Sequence, residues 1–167
     1  YMDGWWDAKS PDQFFYKINF YGDGRTLVSS VTQNAFIYPG EIKYIAEVGL
    51  DIDAREIVSA EVELADFVWK SVVEFPLPKT QTRDIKVELR SQERQAIISG
   101  FLVNQNAFKL SRAAIIAIIS NPSGSRLGVS KTLIEDIESF KEQSFNISVP
   151  AVDLARIDSD LVKIFVE

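Results

Sequence analysis

Asp51 and Asp53 flank Ile52 where the chain is expected to turn, and Asp23 sits between Gly22 and Gly24. An Asp-x-Asp pair in a loop can begin a calcium site, but calcium wants roughly six to eight oxygen ligands. Neither an EF-hand loop nor a glycine-aspartate repeat accompanies these residues. Aspartate in a turn is explained by bonds from its carboxylate to nearby backbone amides. Glu61, Glu63 and Asp66 in one half, and Glu135, Asp136 and Glu138 in the other, could supply a carboxylate pair. A glycosidase needs such a pair roughly 5–10 Å apart across a groove. The alternation Glu61-Val62-Glu63 instead places charge on the solvated face of a strand. With no histidine and no cysteine in the chain, a Ser-His-Asp triad, a thiolate nucleophile and a cysteine zinc site are excluded. Ser71 beside Lys70 and Ser130 beside Lys131 are neighbours, and neighbours on a strand point to opposite faces, so neither forms a dyad. Gly22-Asp-Gly24 is too short for a phosphate-binding loop. No catalytic residue is expected, and no metal or other cofactor.

The aromatic residues offer binding rather than catalysis. Trp5, Trp6 and Trp69, with Tyr38 and Tyr44, could present flat faces to a sugar or a peptide. A tryptophan on a strand is more often core, which is the expectation for Trp69. Trp5 and Trp6 lie in Met2-Asp-Gly-Trp-Trp-Asp7, which has no strand period, and are expected to be exposed. Binding usually resides on loops held by a rigid sandwich. The segments 33–40 and 105–111 are the expected loops, and the candidate ligand-binding residues are Trp5, Trp6, Tyr38, Asn34 and Asn106.

A chain of 167 residues suffices for one large domain or two small ones. The formal charge of −6 and pI near 4.8 repel phosphate backbones, so nucleic acid is not an expected partner. No apolar run is long enough for a transmembrane helix. Because the chain starts at Tyr1 rather than at a methionine and shows no signal peptide, it is expected to be a fragment or processed form whose missing upstream part could hold a membrane anchor. Tyr1, Trp5, Trp6, Phe14, Phe15 and Tyr16 would then lie nearest the lipid interface, or else cover an edge of the first domain.

These residues must be carried by strands. Phe14-Phe-Tyr-Lys-Ile-Asn-Phe20 is rich in β-formers and meets Gly22-Asp-Gly24, which predicts a hairpin into residues 26–32. Pro39-Gly40 marks a turn. Ile42, Tyr44, Ala46, Val48 and Leu50 alternate as in a half-buried strand. Further strands are expected at 57–64 and 69–77. Pro76, Pro78 and the polar run 79–84 read as a linker. The second half restarts with Ile85, Val87 and Leu89, a segment that could close the first sheet system or open the second. Strands follow at 96–104, 112–120, 127–134, 145–149 and 161–166. The run Ala113-Ala-Ile-Ile-Ala-Ile-Ile119 is short and β-branched, so it reads as a strand buried on both faces rather than a helix. Gln-Asn-Ala-Phe occurs at 33–36 and again at 105–108, with Pro78 and Pro150 following at the same offset, which suggests a tandem arrangement. The fold expectation is all-β: two tandem immunoglobulin-like antiparallel β-sandwich domains, at 10–80 and 84–167.

Ile98-Ser-Gly-Phe-Leu-Val-Asn104, Leu110, the apolar strand, Asn121-Pro-Ser-Gly-Ser125, Gly128, Thr132, Ile137 and Phe145-Asn-Ile-Ser-Val-Pro150 carry a resemblance. Residues 85–150 resemble the FxLYD-type bacterial β-sandwich modules, relatives of the LEA14-like and immunoglobulin-like folds. The motif naming that family would fall at Ala117-Ile-Ile-Ser-Asn121, where only the apolar middle agrees. The resemblance implies a non-catalytic structural or interaction module of a membrane-anchored cell-envelope protein, outside the cytoplasm. Its partner would be another protein or an envelope component, and membrane would be met only through the upstream anchor. The alternative is a carbohydrate- or peptide-binding module using exposed aromatics.

Overall fold

The computed structural model describes residues 9–38, 42–71, 77–150 and 153–167. The chain divides into two compact units. The first comprises 1–43 and 49–77, and the second comprises 44–48 and 78–167.

In the first unit, β1 (Lys9–Tyr21), β2 (Leu27–Ala35) and β3 (Ser59–Ser71) form one antiparallel sheet in the order β2-β1-β3. The β1–β2 hairpin closes through Gly22 N–H to the Thr26 carbonyl at 2.9 Å, with Gly24 and Arg25 at φ 65° and 60°. Period-two alternation sorts the sheet into faces. The register places Phe14, Tyr16 and Ile18 of β1 beside Val31 and Ala35 of β2 and Val62 and Leu64 of β3. Lys17, Asn19, Thr32, Glu61 and Glu63 share the other face. Two expectations differ from this result. Among the described residues the first unit holds one sheet rather than a sandwich. The strand expected at 57–64 runs on without a break through 69–71, the described start of the strand expected at 69–77, as β3, while 72–76 lie outside the described residues. Ala65 pairs with Phe15 and Val68 with Gln13, so one extra residue is inserted there, with Asp66 at φ 54°. Such a bulge breaks the alternation that a sequence pattern relies on. The Pro39-Gly40 turn lies outside the described residues.

The second unit contains β4 (Thr80–Arg90), β5 (Gln95–Asn104), β6 (Leu110–Ser120), β7 (Arg126–Ile137), β8 (Glu142–Pro150) and β9 (Lys163–Val166). They make two antiparallel sheets, β4-β5-β8 and β7-β6-β9. Both sheets donate one face to a common core. Ala96, Ile98 and Leu102 of β5 and Phe145, Ile147 and Val149 of β8 meet Ala113, Ile115, Ala117 and Ile119 of β6 and Ile134 and Ile137 of β7. The unit is therefore a β-sandwich, and burying these side chains is the main favourable term in its folding. As its composition predicts, β6 is buried on both faces from Ile115 onward. The β6–β7 turn is set by Asn121, whose side-chain oxygen accepts from Ser125 N–H at 2.8 Å, with Gly124 at φ 80°.

The polar run expected to be a linker is not one. Thr80 to Arg83 pair with Asn104 to Phe101, and Ile85 belongs to the same strand, β4. Between Arg83 and Lys86 one residue is again inserted, with Asp84 at φ 54°. The bulge lies on a strand that, among the described residues, pairs with β5 alone. Gly100, on β5 beneath this bulge, is buried. A methyl group there would meet Ile85 Cδ1 at 2.6 Å, the Arg83 carbonyl oxygen at 3.0 Å and Phe145 Cζ at 3.1 Å. Gly100→Ala is expected to destabilise the second unit by about 1–3 kcal/mol through overpacking, read as a lower urea midpoint in far-UV circular dichroism.

The segment expected to be a strand at 42–50 joins no ladder. Residues 44–48 instead lie against the outer face of the β7-β6-β9 sheet. Ala46 packs on Ile116 and Ile118, flanked by Tyr44 and Phe165. The alternation of Ala46 with its neighbours is real, but what it buries is the outer side of β6.

Candidate functional site

One concave surface of the second unit lies where this segment crosses the sheet. Tyr44, Ile45 and Ala46 face Ile116 and Ile118 of β6 and Arg126, Leu127, Gly128 and Val129 of β7 across a groove of about 310 Å³. The Tyr44 ring tilts 30° to that of Phe165 with centroids 4.0 Å apart. Beside the groove, Lys131 Nζ stands 3.5 Å from Glu47 Oε1, and only 12% of the Glu47 side chain is exposed. The groove is apolar in its floor and carries one guanidinium at its rim, so it suits an apolar group rather than a reacting one. Sequence reasoning missed it because its two walls come from residues about 70 apart along the chain, brought together only by tertiary packing.

The second cluster is the β5–β6 loop. Asn104, fully buried at the end of β5, donates through Nδ2 to the carbonyls of Phe108 (2.9 Å), Ile137 (3.0 Å) and Glu138 (3.0 Å). Its Oδ1 accepts from the Asn106 N–H at 2.9 Å and from Asn106 Nδ2 at 2.8 Å. Asn106 in turn accepts from Lys79 N–H and donates to the Lys79 carbonyl, both at 2.9 Å. Two amides thus fasten the entry to β4, the end of β5, the loop and the end of β7.

Of the candidate ligand-binding residues, Asn34, Tyr38 and Asn106 fall among the described residues. Asn106 is buried and turns both ends of its amide inward. Asn34 is exposed on β2, opposite Phe15. The two Gln-Asn-Ala-Phe copies therefore differ, the first running through the end of β2 and the second forming a loop. The second copy follows Asn104, which captures Asn106, whereas Thr32 stands at the matching position before Asn34. Tyr38 is half-buried and meets the exposed Phe36 edge-to-face, with centroids 5.8 Å apart at 86°. Lys43 Nζ sits 4.3 Å above the Phe36 ring. Trp5 and Trp6 lie outside the described residues, as does the side chain of Trp69.

Four of the carboxylates considered for chemistry are held by cationic or amide partners. Glu61 bonds Arg25 at 2.5 Å, and Glu63 accepts from Asn19 Nδ2 at 2.6 Å. Asp136 and Glu138 flank Lys109 Nζ at 2.7 and 3.4 Å. Among the described residues, no three acidic side chains gather within metal-binding reach. Asp53 is held below the usual carboxylate range by its bond from Arg55, and Glu88 by its bond from Arg90. Arg83 is raised by Glu142, and Lys109 by Asp136. Each shift fixes the charged form, opposite to the shift that readies a group for proton transfer at neutral pH. Because the folded values of Asp53 and Glu88 are depressed, whatever their pairs with Arg55 and Arg90 contribute is present above the ordinary carboxylate range and lost as pH falls through the lowered folded values. All of these groups are exposed, and salt screens such pairs.

No protein-family model and no curated protein matches the chain. Among solved structures, a calcium-binding mutant of Bacteroides uniformis beta-glucuronidase 2 is similar over 89% of this chain, at 13% identity and a TM-score of 0.27. This chain spans 20% of the length of that protein.

Proposed function

We propose that the chain is a non-catalytic structural or interaction module of a membrane-anchored cell-envelope protein, acting outside the cytoplasm. In this reading the second unit is an immunoglobulin-like sandwich. Its connectivity supports that view, because β4-β5-β8 and β7-β6-β9 follow the order A-B-E and C′-C-F of such folds. The first unit, with one described sheet, stands outside the immunoglobulin-like assignment. The observation that carries the functional reading is the Asn104–Asn106 network. The loop on which a ligand was expected uses its polar groups to fasten four parts of the sandwich, which makes a stiff spacer. Among the described residues no helix is long and apolar enough to cross a membrane. The test is membrane fractionation of the native protein followed by protease treatment of intact cells. The expected result is a membrane-associated protein cleaved from outside, with exposed turns such as 122–125 as cutting sites. A soluble cytosolic protein, protected until lysis, would overturn the proposal.

A further inference from the structure

We infer that β9 is a self-association edge, on which a second copy of this chain adds its own β9 in antiparallel register. The hydrogen-bond pattern decides which groups are offered. Glu167 and Ala114 exchange both backbone bonds, at 2.8 and 2.6 Å. Val166 faces Ile115, Phe165 faces Ile116, Ile164 faces Ala117 and Lys163 faces Ile118. Bonded and non-bonded pairs alternate along an antiparallel ladder. The backbone groups of Glu167, Phe165 and Lys163 therefore point to β6, while those of Ile164 and Val166 point away from it. Among the described residues β9 pairs on its β6 side alone.

The sequence of β9 is complementary to itself in one register. When Phe165 faces Phe165 of the second copy, Ile164 faces Val166 and Lys163 faces Glu167, twice over by symmetry. Ile164 and Val166 are then the bonded pairs, each exchanging both backbone bonds through the groups that point outward. Phe165 occupies the closely spaced non-bonded position, where side chains are nearest. Its ring already carries Tyr44 at 4.0 Å, so the two copies would join their aromatic pairs on the outer face. Ile164 and Val166, partly buried at the margin of the core, would lose their remaining exposure. Registers in which Ile164 or Val166 faces itself move Lys163 away from Glu167. Registers displaced by one residue set outward groups against inward ones. Charge and hydrogen bonding thus agree on a single two-fold arrangement, which would make one continuous sheet from the β7-β6-β9 sheets of both copies.

The test uses the 167-residue chain in sedimentation equilibrium over a wide concentration range. A monomer–dimer equilibrium is expected, weakened about tenfold by Lys163→Glu or by Glu167→Lys, because each sets like charges opposite one another. The double variant Lys163→Glu with Glu167→Lys restores the opposite-charge pairing and should recover dimerisation. Amide exchange supplies a second readout. Protection of Ile164 and Val166 should rise with protein concentration, whereas Phe165, already bonded to β6, should not respond. A strictly monomeric chain, a dimer indifferent to the reversals, or a double variant no better than the singles would overturn the inference.

Discussion

Asn104→Ala is expected to cost at least about 3 kcal/mol of stability in the second unit, the largest effect of any single polar substitution there. The side chain is fully buried, and both ends of its amide are bonded to groups of the loop and of the end of β7. Its removal takes a donor from the Phe108, Ile137 and Glu138 carbonyls, the last of which keeps the Lys141 N–H, and releases Asn106, on which the approach of Lys79 depends. Asn104→Asp separates this account from a simple packing defect. It keeps the size and the acceptor toward Asn106, but sets a carboxylate against three carbonyl oxygens. Burial and those oxygens would raise its pKa above the unfolded value, so its penalty should be full at neutral pH and shrink as pH falls below the raised value. An alanine variant would show no such recovery. The measurement needs far-UV circular dichroism or amide exchange, because residues 44–48 and 78–167 contain no tryptophan of their own. An Asn104→Ala protein with an unchanged urea midpoint would sink the idea that this network holds the sandwich together.

Asn104 also shows where the sequence could have been read further. Ala96, Ile98, Gly100 and Leu102 mark the inward positions of β5, and the next one is Asn104. A polar residue continuing an apolar alternation has to find buried partners. The alternation of β5 and β8 and the β-branched run of β6 were legible because each reflects burial on a face set by period two. Strands β3 and β4 were not legible as single strands, since each holds an inserted residue with an aspartate at positive φ. Aspartate tolerates that conformation better than most residues, yet Asp66 and Asp84 look in sequence like ordinary turn or surface charges. The groove and the self-complementary register of β9 required knowing which backbone groups the neighbouring strands already use.

Ala46→Asp is expected to destabilise the second unit by about 2–4 kcal/mol although it lies in the first half of the chain. Ala46 is 7% exposed and covers Ile116 and Ile118, which are 1% and 8% exposed. The Arg126 guanidinium stands at the rim of the same groove rather than on its floor, and a carboxylate on the apolar floor either lifts the segment away or is protonated. Lifting it returns part of two isoleucines to water, and each is worth about 1.5–3 kcal/mol when fully buried. It also separates Tyr44 from Phe165, and Glu47 from Lys131. Ile42→Asp, four residues earlier and 78% exposed, serves as the control and should change stability by no more than about 0.5 kcal/mol. Amide exchange would locate the damage, with faster exchange along β6 in Ala46→Asp and none in the control. The same logic makes the isolated segment 78–167 less stable than the second unit in the whole chain, because its β6 would present both isoleucines to solvent. If Ala46→Asp matched the control, residues 44–48 would be resting on the sheet without supporting it.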